Sequence, residues 1–182
     1  MIIATPRLLL RPARPDDLAG LHAVMSDPRA MRYWSCPAHG DIGQTRAFLQ
    51  GMIDAPRDQS CDFIVEHRGR VIGKAGAWRY PELGFILHPE MWGQGLAREA
   101  LSAIITRLFA TTTLPRLTAE ADQRNAASLG LLGALGFHET GRAANTLLWG
   151  DEWCDSVYLA LERGHWPPPP GAGPAAPGHN SR

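Results

Sequence analysis

The sequence predicts a mixed α/β fold of the α+β kind: one domain with a central twisted sheet of about six to seven strands, flanked by about four helices. Three observations carry that prediction. Apolar segments of period 2 and of period 3.6 alternate along the chain in the order β-α-α-β-β-β-α-β-α-β-β. At 182 residues, with 45% hydrophobic and 20% charged residues, the composition is that of one globular domain able to bury a core. No internal repeat divides it.

The elements follow in order. Residues 8–10, between Pro6 and Pro12, read as a short strand. Asp16 and Asp17 open a helix bearing Leu18, Leu21, Val24 and Met25, with acids at its positive end. Asp27 and Pro28 punctuate its exit. A second helix starts near Asp41, which forms a capping-box pattern with Gln44 and leads Phe48, Leu49, Met52 and Ile53 along one face. Residues 61–66 and 70–78 read as a hairpin, and residues 82–87 as a third strand ended by His88 and Pro89. The strongest helix spans about residues 96–109, with Ala97, Leu101, Ile104, Ile105 and Leu108 at helical spacing. A strand at 116–121, a helix at 125–135 and strands at 137–141 and 156–162 complete a domain over residues 1–165. Residues 166–182, rich in Pro, Gly and Ala, have no apolar pattern from which to build a core and read as a disordered tail.

Composition excludes several function classes. Eighteen basic residues balance eighteen acidic ones, so no global field favours nucleic acid or an anionic membrane. Cys36, Cys61 and Cys154 are odd in number, far apart and without a CxxC pair, which argues against disulfides and structural zinc. His22, His67, His88 and His138 show no ligand spacing, so no metal is expected. The first residues lack a cleavage-site pattern and no apolar run reaches the roughly 20 residues of a membrane span, so a cytoplasmic protein is expected.

The chemistry concentrates in residues 82–98, ELGFILHPEMWGQGLAR. A strand runs through a proline-marked corner into a glycine-rich loop and then into the best helix of the chain. Gly93 and Gly95 let a ligand approach the backbone, and the free N–H groups of the first helical turn attract an anion. A phosphate or diphosphate cradle is the physical reading. Two phosphate-binding patterns fit badly. The run Gly69 to Lys74 has one residue too few for a Walker loop and lies in a hairpin. The run from Gly93 to Arg98 lacks the third glycine of a dinucleotide fingerprint and does not follow a first strand.

A third pattern fits. The run Trp92-Gly93-Gln94-Gly95-Leu96-Ala97 resembles the diphosphate-binding motif Q/R-x-x-G-x-G/A of the GNAT acetyltransferases, with Trp92 in place of Gln or Arg. Downstream, Asn125-Ala126-Ala127-Ser128 followed by Gly136-Phe137 matches the N-x-x-S and GF pattern of the same superfamily. The order of TPRLLLRP, acidic helix start, ELGF strand, cradle helix, NxxS and GF is similar to that of the branch containing the ribosomal-protein N-terminal (alanine/serine) acetyltransferases. The resemblance covers about residues 5–162.

It implies an N-acetyltransferase that binds acetyl-CoA and passes its acetyl group directly to a primary amine in a ternary complex. The cofactor-binding residues it implies are Trp92, Gly93, Gln94, Gly95, Leu96, Ala97 and Arg98 for the diphosphate and Asn125 for the pantetheine arm. The backbone N–H of Ile86 or Leu87 would polarise the thioester carbonyl. Glu82 is the expected base, and Ser128 the expected donor to the departing thiolate, because the position that often carries tyrosine is Leu132. Tyr33, Trp34 and Trp78 are expected at an acceptor pocket for a protein N-terminus or a small amine. A monomer or homodimer is expected, without nucleic acid or membrane partners. A catalytically silent acyl-CoA-binding regulatory module is the alternative, kept open by Leu132 and Trp92.

Overall fold

Alternation builds the sheet and sorts its two faces. Ile64 and Ile86 point to one side, while their neighbours Phe63, Val65 and Leu87 point to the other, as a period of two requires. The computed structural model describes residues 1–167. Its strands are β1 (Ile3–Ala4), β2 (Leu8–Arg11), β3 (Cys61–His67), β4 (Arg70–Arg79), β5 (Glu82–Leu87), β6 (Arg116–Asp122), β7 (His138–Trp149) and β8 (Glu152–Glu162). They form one sheet in the order β1-β2-β3-β4-β5-β6-β8-β7. Every pairing is antiparallel except that of β5 with β6.

One face carries α4 (Leu96–Thr111) and α5 (Ala126–Ala134). From α4, Leu96, Leu101, Ile104, Ile105 and Leu108 bury one stripe against Leu83, Leu87 and Leu117. The other face carries α1 (Leu18–Met25), α2 (Pro28–Met31) and α3 (Ile42–Asp54), whose Leu21, Val24, Met25, Met31 and Leu49 cover Ile64 and Ile86. The expected capping box is present: Asp41 accepts from the N–H groups of Gly43 and Gln44. Asp17 does more than answer a helix dipole. It is 2% exposed and takes a bidentate pair from Arg11, at 2.9 and 2.6 Å, while Arg11 also reaches Glu66 at 2.9 Å.

The architecture matches the expected mixed α/β sheet, with two additions. The two-residue β1 brings the strands to eight, and the four-residue α2, capped by Asp27, brings the helices to five among the described residues. The last two strands are longer than their apolar cores, because β7 and β8 continue through register shifts into a mostly exposed hairpin. Trp166, at the start of the expected tail, packs on the core and donates to Thr106 at 3.1 Å. Residues 168–182 of that tail lie outside the described residues.

Candidate active site

Two features of the sheet centre create the site. The strands β5 and β6 pair only at Glu82↔Thr118 and Leu83↔Ala119, and beyond these registers they part. Backbone direction along β5 is fixed at both ends: the Thr118 N–H donates to Pro81 O at 3.0 Å on the β6 side, and the His88 N–H donates to Ile72 O at 2.8 Å on the β4 side. Strand alternation therefore turns the N–H groups of Glu82, Gly84 and Ile86 toward β4 and those of Phe85 and Leu87 into the opening. Of the two amides expected to polarise a carbonyl, that of Ile86 is corrected: it is spent inside the sheet. The amide of Leu87 faces the gap, with that of Phe85 beside it.

On the α4 side of the opening lies the glycine loop. Gly93 and Gly95 have φ of 70° and 74°, the left-handed region that only glycine enters at no cost. Gly95 is the N-cap of the 16-residue α4, and no side chain caps this end, so the first-turn N–H groups stay available to an anion. The loop's own side chains organise it from outside. The Trp92 indole donates to Leu87 O at 2.9 Å and the Gln94 carboxamide to Glu90 O at 2.8 Å. Trp92 thus ties the end of β5 to the loop. Arg98 is exposed in the first turn of α4.

Asn125 and Ser128 sit where β6 gives way to α5. Asn125 is the N-cap, its carboxamide oxygen accepting the Ser128 N–H at 3.1 Å. Its nitrogen remains a donor, and the Ser128 side chain is half-buried. Leu132, where a tyrosine is usual, is 1% exposed and part of the core.

On the opposite face the parting strands open into a cavity of about 640 Å³, within the range of small-ligand sites. Tyr33, Trp34 and Trp78, all expected there, line it together with Phe48, Met52 and Trp149. Glu82 lines it too, with Arg79 at 3.8 Å. Much of the lining escaped the sequence reading, and four of its polar groups bear on the chemistry. Glu120 is the first β6 residue past the last β5 pairing and accepts the Ser156 hydroxyl at 2.5 Å; the Ser156 and Thr146 hydroxyls are 2.5 Å apart. Its signal was the alternation Glu120-Ala121-Asp122, two acids on one face of a central strand. The fourth is Lys74, the single lysine, set in the apolar run of β4. It is 2% exposed, bonds Asp62 at 2.8 Å and lies 5.5 Å from the Trp34 ring centroid. Burial pushes the Asp62 carboxyl upward against the pull of Lys74. The Asp122 carboxyl is held below its usual range by hydrogen bonds from Arg124. Among the described residues, no group of three or more His, Cys, Asp or Glu side chains is placed to hold a metal ion.

The sheet parts between two strands, with a glycine loop and an uncapped helix start on one face and a cavity carrying several acids on the other, an arrangement that fits a group-transfer enzyme with a phosphate-bearing donor. Comparison with known proteins gives the family. The acetyltransferase (GNAT) domain family matches residues 7–138. The uncharacterized N-acetyltransferase p20 of Bacillus licheniformis is 30% identical over 146 residues, covering 75% of this chain and 82% of that protein. The ribosomal protein uS5-alanine N-acetyltransferase of Escherichia coli is 34% identical over 125 residues, 69% of this chain and 62% of that one. Among solved structures, a GNAT-family acetyltransferase from Bacillus anthracis superposes with a TM-score of 0.79 at 25% identity, covering 90% of this chain and 99% of that one. The chain belongs to the GNAT acetyltransferase family, and it is an acetyl-CoA-dependent N-acetyltransferase.

Proposed function

We propose that the chain acetylates the α-amine at the N-terminus of a polypeptide, with acetyl-CoA held at the glycine loop and the amine presented from the cavity on the other face. The single observation that carries this reading is the parting of β5 from β6 beside two carboxylates, Glu82 and Glu120, with the Leu87 amide turned into the same gap. Bound acetyl-CoA supplies an activated acetyl thioester. Everything else falls to this chain's residues. Gly93, Gly95 and the first-turn amides of α4 bind the diphosphate, and the Asn125 carboxamide nitrogen holds the pantetheine arm. The amides of Phe85 and Leu87 orient and polarise the carbonyl.

An amine reaches the cavity protonated and must lose a proton before it can attack. Glu82 and Glu120 offer carboxylates on the cavity wall. Glu120 is the stronger claimant, because the Ser156 and Thr146 hydroxyls fix it and extend a path for the proton. Ser128 remains the proposed hydrogen-bond donor to the thiolate. A polypeptide end suits the cavity's wide mouth, where Trp78 is 47% exposed and Glu120 and Thr146 are also open to solvent. The Escherichia coli relative that acts on a ribosomal-protein alanine points the same way. The silent-module alternative is weakened because Trp92 keeps the loop anchored, while Leu132 is a core residue that offers no acid and leaves the thiolate to Ser128.

The test is free-CoA release from acetyl-CoA over a panel of short peptides and small amines. Peptide-dependent release is expected, with kcat falling about 100-fold in Glu120→Gln and acetyl-CoA affinity unchanged. Release with small amines alone would replace the acceptor. Wild-type kcat in both Glu120→Gln and Glu82→Gln would remove the base assignment.

A further inference from the structure

Glu99 poses a problem that the family reading leaves unsolved. It is the acid in the first turn of α4, the turn whose N–H groups must attract a diphosphate. A carboxylate there favours the free helix but repels the ligand. The structure answers it with a residue 92 positions away. Arg7, between β1 and β2, bonds Glu99 Oε2 through Nε at 2.6 Å, and its own backbone N–H bonds Oε1 at 2.9 Å. The Thr5 hydroxyl occupies Oε1 as well, at 2.6 Å. Hydrogen bonds from Thr5 and Arg7 outweigh burial and hold the Glu99 carboxyl below its usual range.

The rest of the guanidinium faces the loop. Arg7 Nη1 donates to Gln94 O at 2.8 Å, fixing the peptide before Gly95. Nη2 has no hydrogen-bond partner among the described residues and lies 3.6 Å from where a Cβ on Gly95 would stand. Arg7 is 45% exposed on its side chain, so a ligand reaches Nη2 without displacing anything.

We propose that Arg7 is a donor-site residue: Nη2 binds the diphosphate of acetyl-CoA, while Nε neutralises Glu99 and Nη1 holds the loop in its binding shape. The proposal rests on the assignment of the glycine loop to acetyl-CoA. It gives the TPRL segment a task beyond its short strand, because a planar guanidinium serves a carboxylate, a carbonyl and a phosphate at once, which an ammonium does not.

The test compares two donors on the full chain, acetyl-CoA and acetyl-pantetheine, the latter lacking the diphosphate, by calorimetric and NMR titration. Arg7→Gln is expected to weaken acetyl-CoA binding about tenfold or more and to leave acetyl-pantetheine within about twofold. Glu99→Gln alone, which keeps Arg7 and removes the acid, is expected to bind acetyl-CoA as tightly as wild type or more tightly. Equal losses for both donors in Arg7→Gln would make the role structural and overturn the proposal. So would unchanged acetyl-CoA binding, or a tenfold loss in Glu99→Gln. A wild-type chain that binds no acetyl-CoA would instead overturn the loop assignment, and the Arg7 proposal with it.

Discussion

The two faces of the sheet offer different kinds of group to a ligand. The α4 face presents mostly backbone to the opening, with two left-handed glycines, an uncapped helix start and the open amides of β5, joined by the side chains of Arg7 and Asn125. The backbone groups lie within residues 85–98. On the α1–α3 face the cavity is walled by side chains from several separate stretches, including Tyr33 and Trp34, Phe48 and Met52, Asp62, Lys74 to Glu82, Glu120, and Thr146 to Ser156. A backbone site depends on a few glycines and a helix start, so one segment can encode it. A side-chain site depends on every element that contributes a wall, so its identity is spread along the chain. This difference also explains how one fold keeps one donor while accepting many acceptors.

Lys74 is the strongest way to break the acceptor face. Lys74→Met leaves Asp62 buried without its cation and is expected to cost about 3–5 kcal/mol in chemical denaturation. Adding Asp62→Leu should recover most of that loss. If the single variant is as stable as wild type, the pair does not hold the cavity floor together.

Gly95→Val set beside Trp78→Ala sharpens the comparison. Valine at a φ of 74° must distort the cradle, so acetyl-CoA affinity should fall about tenfold to 100-fold with the acceptor KM little changed. Trp78→Ala should raise the acceptor KM about tenfold and leave acetyl-CoA affinity alone. Losses of both substrates in either variant would mean that the faces are not separable.

The smallest expected effect lies at Asp27, which caps α2 and so sets the path into Arg32, Tyr33 and Trp34. Asp27→Ala should cost about 1 kcal/mol. Hydrogen bonds from Arg29 lower the Asp27 carboxyl from 3.8 to about 2. A lowered carboxyl stabilises the fold above its unfolded pKa, so this contribution is complete above pH 4 or so and disappears as pH falls through about 2. Arg29 is exposed, so solvent screens the ion pair and the cap accounts for most of the effect. Acid titration of wild type against Asp27→Ala by circular dichroism reads the difference; parallel curves would count against it.

Legibility followed the range of the interactions. The capping box at Asp41 and the strand from Glu82 to Leu87 depend on contacts a few residues apart and stand in the structure as read, and the hairpin turn read at residues 67–69 differs only in that His67 ends β3. The ends of β7 and β8 were not legible. Residues 142–149 and 152–155 are mostly exposed or half-buried and are held as strands chiefly by pairing with each other, as in Leu147↔Cys154. Glu120 and Ser156 meet across 36 residues, and nothing local marks them as neighbours.

By itself, the sequence determined the class of sheet, the glycine loop at the head of the strongest helix and the family to which both belong, because local periodicity and backbone freedom decide these. Only the tertiary structure decided which amides of β5 face the gap, that Lys74 and Asp62 underlie the cavity, and that Arg7 stands against Glu99 at the loop. Each of those depends on strand register or on segments brought together by the sheet. Hydrophobic pattern sets which face a residue takes, but the pairing of strands sets whom it meets.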